Sequence, residues 1–530
     1  MFIRRTTGGS KKNPISYLQL VQSYRDEGGR PRHRVLCTLG REEDIINSGL
    51  AESLAKKFAA LSNRLVVIDK DRESFLDTYI LGQVLAVESI WKKLRLDETL
   101  ERLQEKYSIK FSLSKAVKLM VLNRLSDPQS KLSISKWKER IYSDEFEGVQ
   151  LQHLYRALDI LAENKDILEG ELFNKTKSLF QPVINVVFYD LTTIYFESQR
   201  QDSLRCFGYS KDNKTDSVQV VIGLILSEED IPLGYEVFSG NTFEGKTVGK
   251  IIQKLSEKFS INKVIFVADK GILSKGVLKQ IKDSGYEYIV ASKIKQLPKR
   301  YQEQILDRGS FKKVNEDLWV GQTEIKGERI VLGYSESKAD RDRAMRDALI
   351  EKIKKKLKQG QSSLINPSYK KYLSLKQTEM SIDEGKIMQE ARWDGYFGYV
   401  TNNDELTEQQ VVGAYKMLYK IEEAFRCMKS SLDLRPVYHW TERRIQGHIM
   451  LCFLSFYVLR VIKRKLTEAG LHITVEEAMQ ELDRIRAIEL NTDRTKLYAR
   501  TAIQGESNQI LRALGVKIPP VILKEHSVVE

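Results

Sequence analysis

From Pro182 onward the chain alternates apolar runs of strand length with amphipathic helices, and no other feature narrows its fold as far. Val183–Asp190, Ser217–Leu226 and Pro232–Phe238 read as strands, the last two joined by the turn Ser227-Glu228-Glu229-Asp230, which makes them antiparallel neighbours. A helix follows with Val248, Ile251, Ile252, Leu255 and Phe259 on one face. After it come a buried strand Lys263–Ala268, a helix from Ser274 to about Asp283, and a strand Tyr286–Ala291. The order is therefore three strands, helix, strand, helix, strand. Between Lys293 and about Thr401 this rhythm stops. Phe311–Val320, Glu324–Tyr334 and Tyr396–Val400 predict strands around a helix rich in lysine (Lys352, Lys354, Lys355, Lys356, Lys358), which marks an insertion or a separate small domain.

The flanking regions differ in kind. Near the N-terminus, alternating residues from Tyr17 to Gln22, a turn at Gly28-Gly29-Arg30-Pro31 and the returning Val35, Cys37 and Leu39 predict a hairpin. Its tip carries Arg30, Arg32, His33 and Arg34, which suit either a solvated turn or a phosphate-contacting finger. From about Asp77 to Phe180 the pattern is helical and could carry a DNA-binding module. Thr407 and Gln410 form a capping box that starts a helix from about Glu408 to Lys429. A long apolar helix Arg444–Arg464 follows, then a polar C-terminal region with a helix around Val475–Ile488. The segments expected are thus 1–75 with the hairpin, 76–181 helical, 182–294 the first part of an α/β core, 295–401 the insertion, 402–465 the second part of the core, and 466–530 helical.

Composition narrows the partners. A net charge of +14 favours polyanions, either nucleic acid or an anionic membrane surface. The longest apolar stretch, Ile449–Ile462, falls short of the ~20 residues of a membrane span and contains Arg460, so it reads as a buried core helix. The first residues carry no apolar signal region, and a cytoplasmic protein is expected. Cys37, Cys206, Cys427 and Cys452 are too scattered for a disulfide framework or a zinc knuckle; His448 and Cys452 share a helical face, for which packing is the better account.

Two of the buried strands end in aspartate, Asp190 and Asp269, at the carboxyl edge where a sheet holds charged groups rigidly yet exposed. Either alone could be an ordinary turn residue. On the capped helix, Ala414, Leu418, Ile421, Phe425 and Met428 form the core stripe; Glu422 lies roughly 80° from its middle and Glu423 roughly 180°, so Glu422 flanks the sheet and Glu423 faces solvent. Tyr415, Arg426 and Lys429 fall on the flank of Glu422. Three carboxylates on rigid elements suit a pair of Mg²⁺ ions, with Mn²⁺ as a substitute, and the neighbouring cations would hold DNA.

With Asp190, Ala268-Asp269-Lys270-Gly271 and the spacing Tyr415, Leu418, Glu422, Lys429, the chain resembles the DDE transposases of bacterial insertion sequences, specifically those with a long insertion before the catalytic glutamate. The resemblance covers roughly Val183 to His448, and Leu418 stands where the family signature has Arg. It implies a ribonuclease H-like core with Asp190, Asp269 and Glu422 as catalytic and metal-binding residues. It also implies cleavage at the terminal inverted repeats of a mobile element, transfer into target double-stranded DNA, N-terminal regions that bind the ends, and a homodimer in the DNA complex. Related enzymes stack an aromatic on a flipped base; among Trp393, Tyr396, Phe397 and Tyr399, Phe397 is the preferred candidate, with Trp393 second. The competing readings are a ribonuclease H-like resolvase and a catalytically inactive DNA-binding protein derived from a transposase.

Overall fold

The computed structural model describes the chain except at 11–12, 62–74, 181–183, 209–215, 260, 262–263, 270–273, 360–368, 370, 377–378, 492–495 and 524–530. It forms two compact units, Met1–Tyr79 with Arg486–Ala502 and Pro519–Glu530, and Ile80–Ile485 with Ile503–Ile518.

The first unit holds two sheets. Strands β1 (Phe2–Ser10), β2 (Asn13–Arg25) and β3 (Pro31–Arg41) form one of them. β2 and β3 are the expected hairpin; β1 has no apolar alternation and is held instead by backbone pairing from Phe2↔Val21 to Ser10↔Asn13. At the hairpin tip Asp26 accepts from the backbone N–H groups of Gly28 (3.1 Å) and Arg30 (2.9 Å) and pairs with Arg32 at 3.0 Å, so one cation of the supposed finger is already engaged. The other sheet joins β4 (Phe75–Ile80) to three strands near the C-terminus, β16 (Arg486–Asn491), β17 (Lys496–Arg500) and β18 (Ile522–Leu523). The C-terminal region is therefore not purely helical. Its helix stops at Asp483, and Arg486–Asn491 pairs with β17 from Ala487↔Arg500 to Asn491↔Lys496.

The second unit is built on a nine-stranded sheet. Its strands are β5 (Val186–Tyr195), β6 (Gln219–Ser227), β7 (Pro232–Ser239), β8 (Ile265–Ala268), β9 (Glu287–Ala291), β10 (Lys312–Lys313), β11 (Leu318–Ile325), β12 (Glu328–Ser335) and β15 (Tyr396–Thr401). They lie in the order β10-β11-β12-β15-β9-β8-β5-β6-β7. β5, β8 and β9 are parallel and β6 and β7 antiparallel, as the sequence rhythm requires. β5 does not end at Asp190. It continues to Tyr195 because its second half pairs with β6 after β8 has stopped. The strands of the insertion continue the main sheet through the antiparallel pairing of β15 with β9, and only the short β13 (Leu373–Lys376) and β14 (Glu379–Ile382) pair apart from it.

Helices cover both faces. Val187, Tyr189 and Leu191 of β5 pack with Val248, Ile251, Leu255 and Phe259 on one side. On the other run Glu408–Lys416, Tyr419–Arg426 and the long helix Glu442–Glu468, whose most apolar stretch is 94% buried inside the protein. A helix apolar all round must be enclosed, and the helices Gly82–Lys93, Leu113–Ser126 and Leu151–Glu163 enclose it. Gly447 permits the closest approach, since a Cβ there would collide with the Leu158 carbonyl. The helical region is thus packed into the same unit as the sheet.

A buried ionic cluster ties the helix Lys165–Phe180 to the sheet. Glu169, fully buried, accepts from Lys254 (2.8 Å), Lys258 (2.6 Å) and the backbone N–H of Tyr235 (2.9 Å). Removing one member of such a cluster strands the others without solvent. Glu169→Ala is expected to cost about 3–5 kcal/mol, read as a lower urea midpoint at unchanged slope; an unchanged midpoint would mean the lysines find water instead.

Candidate active site

The parallel register Val186↔Ile265, Val187↔Phe266, Phe188↔Val267, extended two residues, sets Asp190 beside Asp269 on adjacent strands about 4.8 Å apart. Asp190 is half-buried within β5, on the face opposite Val187, Tyr189 and Leu191, and Asp269 is exposed one residue past β8. Lys270 and Gly271 lie outside the described residues.

The helix expected from Glu408 to Lys429 is two helices. Its capping box forms, with the Gln410 N–H donating to Thr407 Oγ1 at 3.3 Å and the Thr407 N–H to Gln410 Oε1 at 2.9 Å. At Met417-Leu418 the hydrogen bonds shorten to three-residue steps, Leu418 to Tyr415, Lys420 to Met417 and Ile421 to Leu418. Three such residues turn the following helix by about 60° more than a regular α-helix would. Leu418 is buried at this joint, which suits an apolar residue where the family signature has Arg. A π-turn, Cys427–Ser431, ends the second helix and carries Lys429.

Glu422 is exposed on Tyr419–Arg426, with Arg426 exposed one turn later. Glu423 does not face open solvent. The helix Glu442–Glu468 borders that flank, and Glu423 lies 3.8 Å from buried Arg460 and 3.7 Å from Lys463, both of which also pair with Asp230.

Tyr415 links these elements. Its ring stacks on Tyr399 of β15 at 4.2 Å and 28°. Its hydroxyl pKa is pushed up from an ordinary 10 to about 12, first by burial and then by the negative charge of Asp269, Glu422 and Asp190, in that order. Three carboxylates from three elements thus converge electrostatically on one phenol, which keeps its proton and remains a donor. Among the described residues no three His, Cys, Asp or Glu side chains stand close enough to share a metal ion.

The candidate aromatics divide between two faces of the insertion. Phe397 lies 5.5 Å from Tyr399 and covers Gly333, where a Cβ would overlap its ring; Phe397, Tyr399 and Tyr415 therefore run as three rings towards the carboxylates. Trp393 is buried with Tyr396 (6.2 Å) on the other face, beside a cleft lined by Lys295, Lys338 and Lys371. Tyr399, the stacking partner of Tyr415, carries one signal in the sequence beyond being an aromatic, its two-residue spacing from Phe397.

A family model described as a transposase DDE domain matches residues 181–458, which include Asp190, Asp269, Glu422 and the central sheet. A second, described as the N-terminal domain of IS1634 family transposases, matches residues 3–70. No curated protein matches the chain.

Because the folded phenol of Tyr415 holds its proton up to about 12 and the unfolded one only to 10, the stability it contributes is complete below pH 10 and is lost between pH 10 and 12. Asp269→Asn should move the Tyr415 titration back towards the ordinary value, measured by NMR of ring-labelled tyrosine with Tyr415→Phe for assignment. An unmoved midpoint would separate Asp269 from Tyr415.

Proposed function

The chain belongs to the DDE transposases of insertion sequences, and on that premise we propose that it nicks the ends of a mobile element and joins them to target DNA at Asp190, Asp269 and Glu422. The observation that carries this reading is the convergence of the three carboxylates on Tyr415. The strand order β7-β6-β5-β8-β9, with β6 alone antiparallel to both its neighbours, supports a ribonuclease H-like core beneath them.

DDE transposases use divalent metals, and an all-oxygen donor set on neighbouring strands fits Mg²⁺ or Mn²⁺. Asp190 and Asp269, in register on adjacent strands, would hold such ions, and Glu422, which stands out of reach of a shared ion in this structure, would have to close on them to be the third ligand; when bound, the ions supply activation of water or a 3′-hydroxyl and stabilisation of the leaving oxygen. The protein's own contribution is positioning. Tyr415, protonated at neutral pH and fixed by its stack on Tyr399, donates to a phosphate oxygen. Arg426 and Lys429, just beyond Glu422, neutralise the DNA backbone beside the scissile bond. Phe397, at the outer end of the ring series, is the stacking partner for a displaced base, and Trp393 is a weaker candidate because it is buried on the other face. The DNA partners are the terminal inverted repeats and a double-stranded target, bound by a homodimer.

The carboxylates repel phosphate in the absence of metal, so they serve chemistry and not recognition. Asp190→Ala, Asp269→Ala and Glu422→Ala should each lower Mg²⁺-dependent nicking of an end-bearing duplex by roughly 10³-fold, while gel-shift affinity stays near wild type. Glu423→Gln, which spares Arg460 a lost partner, is the control and should still cut; a cutting Glu422→Ala protein would sink the assignment. Arg426→Ala and Lys429→Ala should each flatten the salt dependence of binding by about one in slope, and an unchanged slope would remove that residue from the site.

A further inference from the structure

The segment Arg435–Trp440, between the π-turn and the long helix, has no part in the site above. Tyr438 and Trp440 are 73% and 64% exposed, while His439 between them is turned inward, its ring 5.4 Å from that of His448. Two-residue spacing sets the exposed rings on one side of an extended stretch. The segment's root is rigid. Arg124, itself buried, donates to the carbonyls of Leu432 (3.0 Å) and Asp433 (2.9 Å), and the Leu434 carbonyl lies 3.1 Å from His448 Nε2.

Beside the rings is a small, partly open cleft of about 50 Å³, lined by Phe196, Glu197, Ser198, Arg205 and the segment itself. Arg205 is 97% buried, since its exposure is 3%. Asp202 holds its Nε and Nη2 at 2.7 Å each, whereas Nη1 has no hydrogen-bond partner among the described residues. The guanidinium also lies 5.7 Å from the Trp440 ring and 5.6 Å from that of Phe196. A buried guanidinium with an unfilled donor, next to two exposed rings, is a site made for an anion joined to a flat apolar group.

That pairing occurs in a nucleotide. The cleft begins where β5 ends, five residues beyond Asp190, or about 17 Å along the strand and about five base steps at ~3.4 Å. Base faces are covered in a duplex and free only in an unpaired strand. Resting on the transposase reading, we propose that Tyr438 and Trp440 stack an unpaired base of the DNA strand running from the reaction centre, and that Arg205 Nη1 holds its phosphate.

The test uses the full-length protein without divalent metal and a mixed-sequence duplex, either blunt or with a single-stranded tail of about eight thymidines carrying one 2-aminopurine about five positions out. In the wild type the tail should tighten binding by about tenfold and change the 2-aminopurine emission. Tyr438→Ala and Trp440→Ala, both at exposed positions, should abolish the tail's contribution and leave blunt-duplex affinity intact, and Trp440→Phe should restore most of it. Arg205→Lys should retain the emission change but lose affinity for the tail. Equal tail dependence in wild type and the double alanine variant would overturn the proposal alone. So would an altered oligomeric state with unaltered DNA binding, which would give this surface to a second copy of the chain. A wild type that binds neither probe would overturn both this proposal and the transposase reading.

Discussion

Parallel pairing of β5 with β8 is the constraint on which the rest of the unit depends. It fixes Asp190 and Asp269 in register, and because β8 stops at Ala268 while β5 continues, it leaves both carboxylates at a step in the sheet. A one-residue slip would carry Asp190 to the opposite face, among Tyr189 and the helix Val248–Gln253. β5 is buried on both faces and paired on both sides, so the slip is opposed by the cost of burying the Asp190 carboxylate.

The second constraint is the enclosure of Glu442–Glu468. Its cost in buried polar groups is visible at Arg460, whose Nη1 reaches Asp230 at 2.9 Å while Nε and Nη2 have no hydrogen-bond partner among the described residues. In return one helix organises the sheet, the helical region and the flank of Tyr419–Arg426. The charge on Arg460 also draws Glu423 aside, so that of two adjacent acids only Glu422 is left exposed.

The α/β rhythm and the order of its strands were legible in the sequence because buried strands advertise themselves as apolar runs between breakers, and helix starts through caps such as Thr407 and Gln410. Features that rest on strand pairing and not on a side-chain pattern were not. β1 carries no pattern of its own, and Arg486–Asn491 looked like the tail of a helix until paired with β17. The shortened steps at Leu418 could not be foreseen from a regular helical wheel, which assumes a constant turn. The two aspartates were readable after apolar runs, although only Asp269 follows a strand end and Asp190 lies in the middle of β5, and their relation to Glu422 is carried by Tyr415 and Tyr399, which meet only through the fold.

The union of β15 with β9 has a further consequence. Without β10–β12 and β15, β9 would present a row of bare amides and carbonyls, an invitation for strands of other molecules to dock. The inserted segment therefore moves the edge of the sheet from β9 out to the two-residue β10, and excising it would turn a short border into a longer, stickier one. What began in the sequence as an interruption is, in the folded protein, the hem of the sheet.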